Sequence, residues 1–323
     1  MRRLLFPLLV FLAAWMSPAQ AWAQNRYRIG AAVANDQFLS AIEGFKKRMI
    51  DLGYDEGKNV KYEVYNAHGD LEMMKRLAQK LVQERPDLIV TSSTTATAPV
   101  AKASAGTNIP VVFLSAGNPL VFVKSYASSG NNLTGISTAS IDLTPKRMEL
   151  LKKLAPGIRR LISLNNPNGE NYRENLKATR DAAKRLGLIL AEIDVTSLDE
   201  TIQWAKEHLH RKLGEGVFYP PDAVILNAIP NILPYMLRER LPSVSVNIAR
   251  VKEGALAGYG PDYFALGQQG AVLADKIRKG ARPSDLPIEQ PLKLHLVINL
   301  KTAKAIGLKV PKEIILRADE LIE

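Results

Sequence analysis

A run of hydroxyl side chains is the clearest candidate for ligand chemistry in this chain. Thr91 to Thr97 (TSSTTAT) follows the apolar segment Leu88–Val90 and precedes a small-residue helix predicted over Ala96–Ala105. Hydroxyls and unpaired N–H groups at a helix start favour a carboxylate or a phosphate. The glycines and the lysine of a phosphate-binding P-loop are missing. Ser93 and Thr94 are therefore candidate ligand contacts, although helix capping alone also explains such a cluster.

Asp262 offers a carboxylate in a comparable position. It follows Gly260-Pro261 at the predicted end of a strand and precedes a predicted helix, so it either caps that helix or faces a ligand. If the Ser93-Thr94 helix start takes a carboxylate and Asp262 takes an ammonium, an α-amino acid satisfies both. Such a ligand also needs apolar walls. The candidates are Phe38, Tyr172 and Tyr259, each of which fits a hydrophobic core equally well.

No set of residues has the spacing of a known catalytic centre. The four histidines are His68, His208, His210 and His295. His208 and His210 lie two apart on a predicted helix and so face different directions. The sequence contains no G-x-S-x-G, H-E-x-x-H or calcium-loop pattern and no cysteine. We predict a protein that binds its ligand reversibly, is not an enzyme and needs neither a cofactor nor a metal.

Alternating strands and helices must position these residues. The repeat of strand, helix and strand from Arg28 onward predicts an α/β fold with parallel sheets and right-handed crossovers. The apolar run Pro110–Leu114 stops at Ser115-Ala116-Gly117-Asn118-Pro119. Ligands collect at the carboxyl edge of such a sheet, so Ser115 and Asn118 are further candidate contacts.

A second strand–helix series begins at Arg160 and indicates a second lobe of the same build. It includes a predicted strand over Ala223–Asn227 and a helix over Ile229–Arg240. The length of 323 residues exceeds the point, at about 250–300 residues, where one hydrophobic core usually stops growing. Two lobes joined by a hinge can close on a ligand.

The amino terminus has the features of a secretory signal peptide. Met1-Arg2-Arg3 is positively charged, Leu4–Trp15 is apolar, and Ala19–Ala23 offers small-x-small cleavage sites, which assigns residues 1–23 to the signal. No cysteine is present to accept a lipid, so only a second membrane would keep the protein near the cell. We expect a soluble periplasmic protein without a lipid anchor.

The net charge of +11 raises the question of a nucleic-acid partner. Lysine and arginine are spread along predicted helices such as Lys177–Arg185, where acidic residues interrupt them. This pattern is typical of solvated helix faces, and we predict no nucleic-acid partner.

Longer blocks of sequence carry a family resemblance. They are AGNPL (116–120), GNNLTGIS (130–137), KRMELLKKLAPGIRRL (146–161), NNP (165–167) and the C-terminal run DLPIEQ…ADELIE (285–323). Over essentially its whole mature length the chain resembles the substrate-binding proteins of ABC transporters in the tryptophan/tyrosine-type family. One departure is Asn118, where the family usually has Asp.

The resemblance implies a periplasmic binding protein of type I, with two doubly wound parallel-sheet lobes joined by a three-strand hinge. Lobe one would contain residues 26–138 and 250–283, and lobe two residues 139–249 and 284–323. The expected partners are the permease subunits of an ABC importer in the inner membrane. The expected ligand is an amino acid with an aromatic or large aliphatic side chain, and we expect a monomer.

The full set of predicted ligand contacts is Phe38, Ser93, Thr94, Ser115, Asn118, Asn166, Asn227, Asn247, Tyr259 and Asp262. A sugar or nucleoside ligand remains an alternative, and so does a periplasmic sensor subunit for a membrane receptor. The missing nucleophile and base disfavour a periplasmic hydrolase. The export signal argues against a two-lobed transcription regulator.

Overall fold

A computed structural model of the chain describes residues 26–323. The predicted signal peptide over residues 1–23 lies outside the described residues. None of the helices in residues 26–323 combines the length and the apolar character needed to span a bilayer.

Strands and helices alternate through most of the described chain. The strands are β1 (Tyr27–Val33), β2 (Val60–Asn66), β3 (Leu88–Ser92), β4 (Val111–Ala116), β5 (Leu133–Ser137), β6 (Arg160–Asn165), β7 (Ile189–Asp194), β8 (Gly216–Phe218), β9 (Val244–Ser245), β10 (Ala257–Gly260), β11 (His295–Asn299) and β12 (Glu320–Ile322). The helices are α1 (Leu39–Asp51), α2 (Leu71–Gln83), α3 (Thr94–Ser104), α4 (Thr144–Leu154), α5 (Tyr172–Arg185), α6 (Leu198–His208), α7 (Ala223–Arg238), α8 (Ala249–Lys252), α9 (Tyr263–Arg278), α10 (Leu300–Ala305) and α11 (Lys312–Ile315).

Lobe one is built on a five-stranded parallel sheet in the order β2-β1-β3-β4-β5. Strands β3 and β4 are buried along their whole length, as expected for apolar runs in a parallel sheet that is covered on both faces. Helix α9 packs against β4 and along α1, and α2 packs against α3. Because parallel strands end at one edge, the polar residues that follow β3, β4 and β5 lie close together.

Lobe two contains two groups of strands. Strands β7-β6-β8 are parallel, and β12-β11-β10-β9 form the other group. An isolated bridge between Val217 and Ser243 places β8 beside β9 and so joins the groups. Strands β10 and β11 are antiparallel, and the other strand pairs in residues 26–323 are parallel. The two-lobed α/β fold is confirmed, with this one antiparallel pair as a departure from fully parallel sheets.

The prediction of a strand over Ala223–Asn227 is wrong, because these residues form the start of α7. The side chain of Asp222 caps this helix by accepting hydrogen bonds from the N–H groups of Val224 and Ile225, at 2.9 and 3.1 Å. The strand of this unit is Gly216–Phe218 instead. A short apolar run fits a buried strand and a buried helix equally well, so periodicity could not separate them.

The chain crosses between the lobes three times. Two of these crossings lie later in the sequence than the predicted lobe boundaries. The strand expected to lie in lobe one after residue 250 is β10, which pairs with β9 and β11 of lobe two. The second crossing therefore follows Gly260, and α9 begins lobe one again at Tyr263. The third crossing follows Glu289, whose backbone still pairs with Ile136 of β5 in lobe one. Pairings between distant segments decide these positions, and local sequence does not show them.

Close packing of α1 against α9 generates a stability prediction. A β-carbon added at buried Gly267 would overlap the carbonyl oxygen of Ala41, and both atoms belong to helix backbones that cannot move alone. We expect Gly267→Ala to lower the free energy of unfolding by about 1–3 kcal/mol or more, through overpacking. Urea denaturation measures the change.

The matched control is Gly157→Ala. Gly157 is exposed and has no atoms within 4 Å of an added β-carbon, so this change should alter stability by less than about 1 kcal/mol. Equal stability of the two variants would contradict the close approach of α1 and α9.

Candidate ligand-binding cleft

A cleft lies between the two lobes at the carboxyl ends of β3, β4 and β5. The free space among its lining residues is about 450 Å³, a volume that includes space open to solvent. The residues that line it are Phe38, Ser93, Thr94, Thr95, Ser115, Gly117, Thr138, Ser140, Glu170, Asn171, Pro221, Asp222, Ala223, Leu226 and Tyr263.

The lobe-one side of the cleft is the start of α3. The Ser93 hydroxyl accepts from the Ala96 N–H at 3.1 Å and caps the helix. The Thr94 hydroxyl accepts from the Gly117 N–H at 2.9 Å and so holds the loop after β4 against the helix. Among residues 26–323, no acceptor pairs with the N–H groups of Thr94 and Thr95. These groups carry the positive end of the helix dipole towards the cleft.

Ser93 has a strained backbone at this helix start. Its φ of 92° and ψ of 156° fall in a region that is populated almost entirely by glycine. Hydrogen bonds on both sides hold the residue there: its N–H donates to the Ser115 hydroxyl at 3.0 Å, and its carbonyl accepts from the Thr97 hydroxyl at 2.6 Å. Such strain persists where the surroundings fix a functional geometry.

Two aromatic rings form an apolar wall. Phe38 and Tyr263 stack with their ring centroids 5.3 Å apart and their planes 22° from parallel. Both rings are buried, and both residues line the cleft. A flat or long apolar group of a ligand can pack against this wall.

The lobe-two side of the cleft carries two carboxylates, Asp222 and Glu170. Burial raises the pKa of Asp222 above its ordinary value, against the hydrogen bonds from Ile225, Asn166 and Val224 that lower it. Glu170 is an exposed residue, although protein atoms lie close to its carboxyl group. Burial and the negative charge of Asp222 raise the pKa of Glu170 to about 7, against the positive charge of Lys75, which lowers it.

An unpaired acceptor lies beside these acids. The Oδ1 atom of Asn171 is buried and has no hydrogen-bond partner in residues 26–323. None of the residues that line the cleft is lysine, arginine or histidine. The positive charge of Lys75, a residue outside this lining, acts on Glu170. Within the lining, the lobe-two side presents acceptors and the lobe-one side presents donors.

Comparison with known proteins decides the family. Residues 28–322 match the family model described as ABC transporter substrate binding protein. This chain belongs to that family. Substrate-binding proteins of this family bind small ligands, act outside the cytoplasm with permease subunits, and are not enzymes in general.

This substrate-binding protein is similar to a curated protein and, in fold, to solved structures. A curated tyrosine-binding protein from Clostridioides difficile is 28% identical over 291 residues, which cover 88% of this chain and 82% of the relative. A conserved domain protein from Vibrio cholerae has a TM-score of 0.83 at 23% identity, covering 91% of this chain and 99% of that one. The ABC domain from Streptococcus pneumoniae, in complex with L-Trp, has a TM-score of 0.81 at 23% identity, covering 92% and 100%.

The structure of this substrate-binding protein brings four of the ten predicted contacts together in the cleft, namely Phe38, Ser93, Thr94 and Ser115. Asn166 lies one step behind them. Its side-chain amide donates to the Asp222 carboxylate at 3.1 Å, and it lines the wider entrance with Lys75 and Lys102. Asn166 thus orients the carboxylate that faces the cleft.

Five predicted contacts lie outside the cleft lining: Asn118, Asn227, Asn247, Tyr259 and Asp262. Asn118 precedes a short 3-10 segment. Asn227 lies within α7 because the strand predicted there does not exist. The main chain of Tyr259 lies in β10, while its side chain lines a separate pocket with Lys146 and Arg317. The Asp262 side chain accepts from the Phe264 N–H at 2.8 Å and so caps α9, which is the alternative to a ligand contact that its sequence position offers.

Asn247 instead takes part in direct contacts between the lobes. Its side-chain amide lies 3.5 Å from Oε1 of Gln37 in lobe one. The buried Asn35 of lobe one donates to the carbonyl of Ala223 in lobe two at 3.0 Å. These contacts show that the two lobes touch across the cleft in this structure.

Sequence reasoning missed the two acids of lobe two. Asp222 directly precedes an apolar run, which is a helix-capping signal, but the sequence predicts that run as a strand. Glu170 lies in the loop Pro167–Asn171, where no local pattern distinguishes it from a solvated surface acid. Within residues 26–323, no group of three or more His, Asp or Glu side chains is arranged to hold a metal ion.

The strained backbone of Ser93 generates a prediction with opposite signs for two substitutions. Ser93→Gly should raise the free energy of unfolding by about 1 kcal/mol or more, because glycine accepts this φ and costs only a few tenths of a kcal/mol as a cap. Ser93→Ala keeps the strain and removes the cap, so it should lower stability by about 1 kcal/mol. Urea midpoints report both changes.

Ser197 supplies the control, since it caps α6 through the Glu200 N–H at an ordinary φ of −145°. Ser197→Gly should not stabilise the protein. A loss of stability in Ser93→Gly as large as that in Ser93→Ala would refute the strain.

Proposed function

We propose that this protein captures a free α-amino acid in the cleft between its lobes and delivers it to an ABC importer. The opposed polarity of the cleft is the observation that carries this proposal. Free N–H groups of Thr94 and Thr95 suit the carboxylate of the ligand, and the carboxylates of Glu170 and Asp222 suit its ammonium. The unpaired Oδ1 of Asn171 supplies a third acceptor for the ammonium.

An aromatic side chain on the ligand is our specific proposal. The stacked rings of Phe38 and Tyr263 offer a flat apolar wall beside the polar groups. A curated relative is named as a tyrosine-binding protein, and a structural neighbour holds L-Trp. Both support an aromatic amino acid over a sugar or a nucleoside.

We also propose that the protein works in the periplasm after cleavage of a signal peptide within residues 1–23, and without a lipid anchor. The charged start, the apolar segment and the small residues at 19–23 support a cleaved signal. The lack of any cysteine in the sequence supports the absence of a lipid anchor.

Ligand binding gives the first functional prediction. L-Tyrosine or L-tryptophan should raise the melting temperature of the mature protein. At a ligand concentration of one hundred times the dissociation constant, the free energy of unfolding should rise by about 2.7 kcal/mol. Asp222→Asn should weaken this binding about 10- to 100-fold, because an amide still caps α7 but no longer pairs with an ammonium. Isothermal titration calorimetry measures the dissociation constants.

Asp199→Asn is the matched control, since Asp199 is an exposed acid in the first turn of α6. It should leave affinity unchanged. If sugars shift the melting temperature and no amino acid does, the proposed function is wrong.

Affinity should also depend on pH through Glu170. In the empty cleft its pKa is about 7, so below pH 7 the carboxyl carries a proton that an arriving ammonium must displace. Above pH 7 the group is ionised before and after binding, and this contribution is constant. We therefore expect affinity to fall by up to about tenfold per unit as pH drops from 7 to 5.

Glu170→Gln is the test of that assignment. The variant should bind more weakly at pH 8 and should lose the slope between pH 5 and 7. A slope that survives unchanged in Glu170→Gln would assign the proton to another group, with Asp222 as the neighbour to examine next.

A further inference from the structure

Arg147 is a fully buried arginine that has no role in the binding site described above. It extends from α4 and has none of its surface exposed. Its Nε donates to the carbonyl of Tyr259 at 2.7 Å, and its Nη1 donates to the carbonyl of Ser140 at 2.6 Å. Its Nη2 is buried without a hydrogen-bond partner in residues 26–323.

The guanidinium of Arg147 also lacks a counter-charge. Burial lowers its pKa to about 10, and within residues 26–323 the groups that act on it electrostatically are the phenols of Tyr263 and Tyr259. It therefore remains a cation at neutral pH with no carboxylate beside it. A buried charge that is paired only with carbonyl groups is unfavourable, and buried ionisable groups with shifted pKa values cluster at functional sites.

Arg147 stands directly behind one end of the cleft. Ser140, whose carbonyl it holds, lines the cleft, and so does Tyr263. The Ser140 hydroxyl accepts from the Thr138 hydroxyl at 3.0 Å, and both side chains lie within 4 Å of a β-carbon added at Gly117, in the loop that Thr94 holds. The buried cation and the free N–H groups of α3 therefore lie towards the same end of the cleft.

We propose that Arg147 is a positioning residue for the carboxylate of the ligand. The ligand carboxylate is the missing counter-charge, and Arg147 acts on it through the cleft wall at Ser140 and Tyr263 without touching it. The inference rests on the proposed function and adds the residue that makes the cleft select acids over amides. The lobe-two acids at Glu170 and Asp222 fix the opposite end of the same molecule.

The position of Arg147 also links the ligand to the hinge. Ser140 lies in the first crossing between the lobes, and Tyr259 lies in β10, the strand that leads into the second. One guanidinium thus holds the main chain of two crossing segments. A purely structural role for Arg147 would use these two bonds alone and would be indifferent to the charge of the ligand.

The experiment compares L-tyrosine with L-tyrosinamide in the full mature protein, at one pH and by calorimetry. The measured quantity is the ratio of the two dissociation constants, relative to that ratio in the unmodified protein. Arg147→Met should reduce the preference for the acid at least tenfold, and Arg147→Lys should retain most of it. Loss of affinity for both ligands by the same factor in Arg147→Met would overturn the proposal, because a structural role predicts that result.

Arg250→Met is the matched control. Arg250 is also buried, but Glu253 neutralises it at 2.6 Å, so the acid-to-amide ratio should not change even if stability falls. Failure of the unmodified protein to bind any amino acid would refute the proposed function itself, and is thereby distinguished from failure of this inference.

A measurement without substitutions covers the case in which Arg147→Met does not fold. In the ¹⁵N spectrum of the unmodified protein, the side-chain signal of the buried Arg147 should shift on addition of L-tyrosine and shift much less with L-tyrosinamide. Equal shifts with both ligands, or none with either, would overturn the proposal.

Discussion

The separation of charge across the cleft is the interaction on which the rest of the site depends. Lobe two brings Glu170 and Asp222 together in the cleft, where burial raises the pKa of both and the charge of Asp222 raises that of Glu170 further. An ammonium group placed between them would relieve that cost. Under the proposed function, binding and closure are therefore coupled, because the closed arrangement is the one that most needs the charge of the ligand.

Some contacts between the two lobes do not involve a ligand. The bond from Asn35 to the carbonyl of Ala223 joins the lobes through groups that no ligand supplies. It reaches the first residue of α7, next to the carboxylate of Asp222, so the same helix start carries both the contact between the lobes and the acid. A shift of the lobes against each other would therefore move Asp222 relative to α3. Recognition of the ligand and the interlobe angle are in this way properties of one structural unit.

Local sequence predicted some parts of this arrangement and could not predict others. The hydroxyls at Ser93 and Thr94 were found because parallel strands end at one edge, which is a property of the fold class. Asp222 was missed because the apolar run after it fits a strand as well as a helix. The placement of β10 depends on pairing with β11, a segment about forty residues away, and no window of sequence contains that information.

The two acids considered as partners for an ammonium show why capping and ligand binding are not exclusive roles. Asp262 and Asp222 both cap helices, α9 and α7 respectively. Asp222 differs because Asn166 also holds its carboxylate and because it faces the cleft. A capped carboxylate is already oriented, so it loses little freedom when a ligand arrives.

The two sides of the cleft are thus built from the same element, a helix start, with opposite polarity. At α7, the Asp222 side chain occupies the first N–H groups and turns the positive end of a dipole into a negative site. At α3, the strained Ser93 caps only the Ala96 N–H and leaves those of Thr94 and Thr95 free. The type of the capping residue, acid or hydroxyl, decides which end of a zwitterion each lobe can hold.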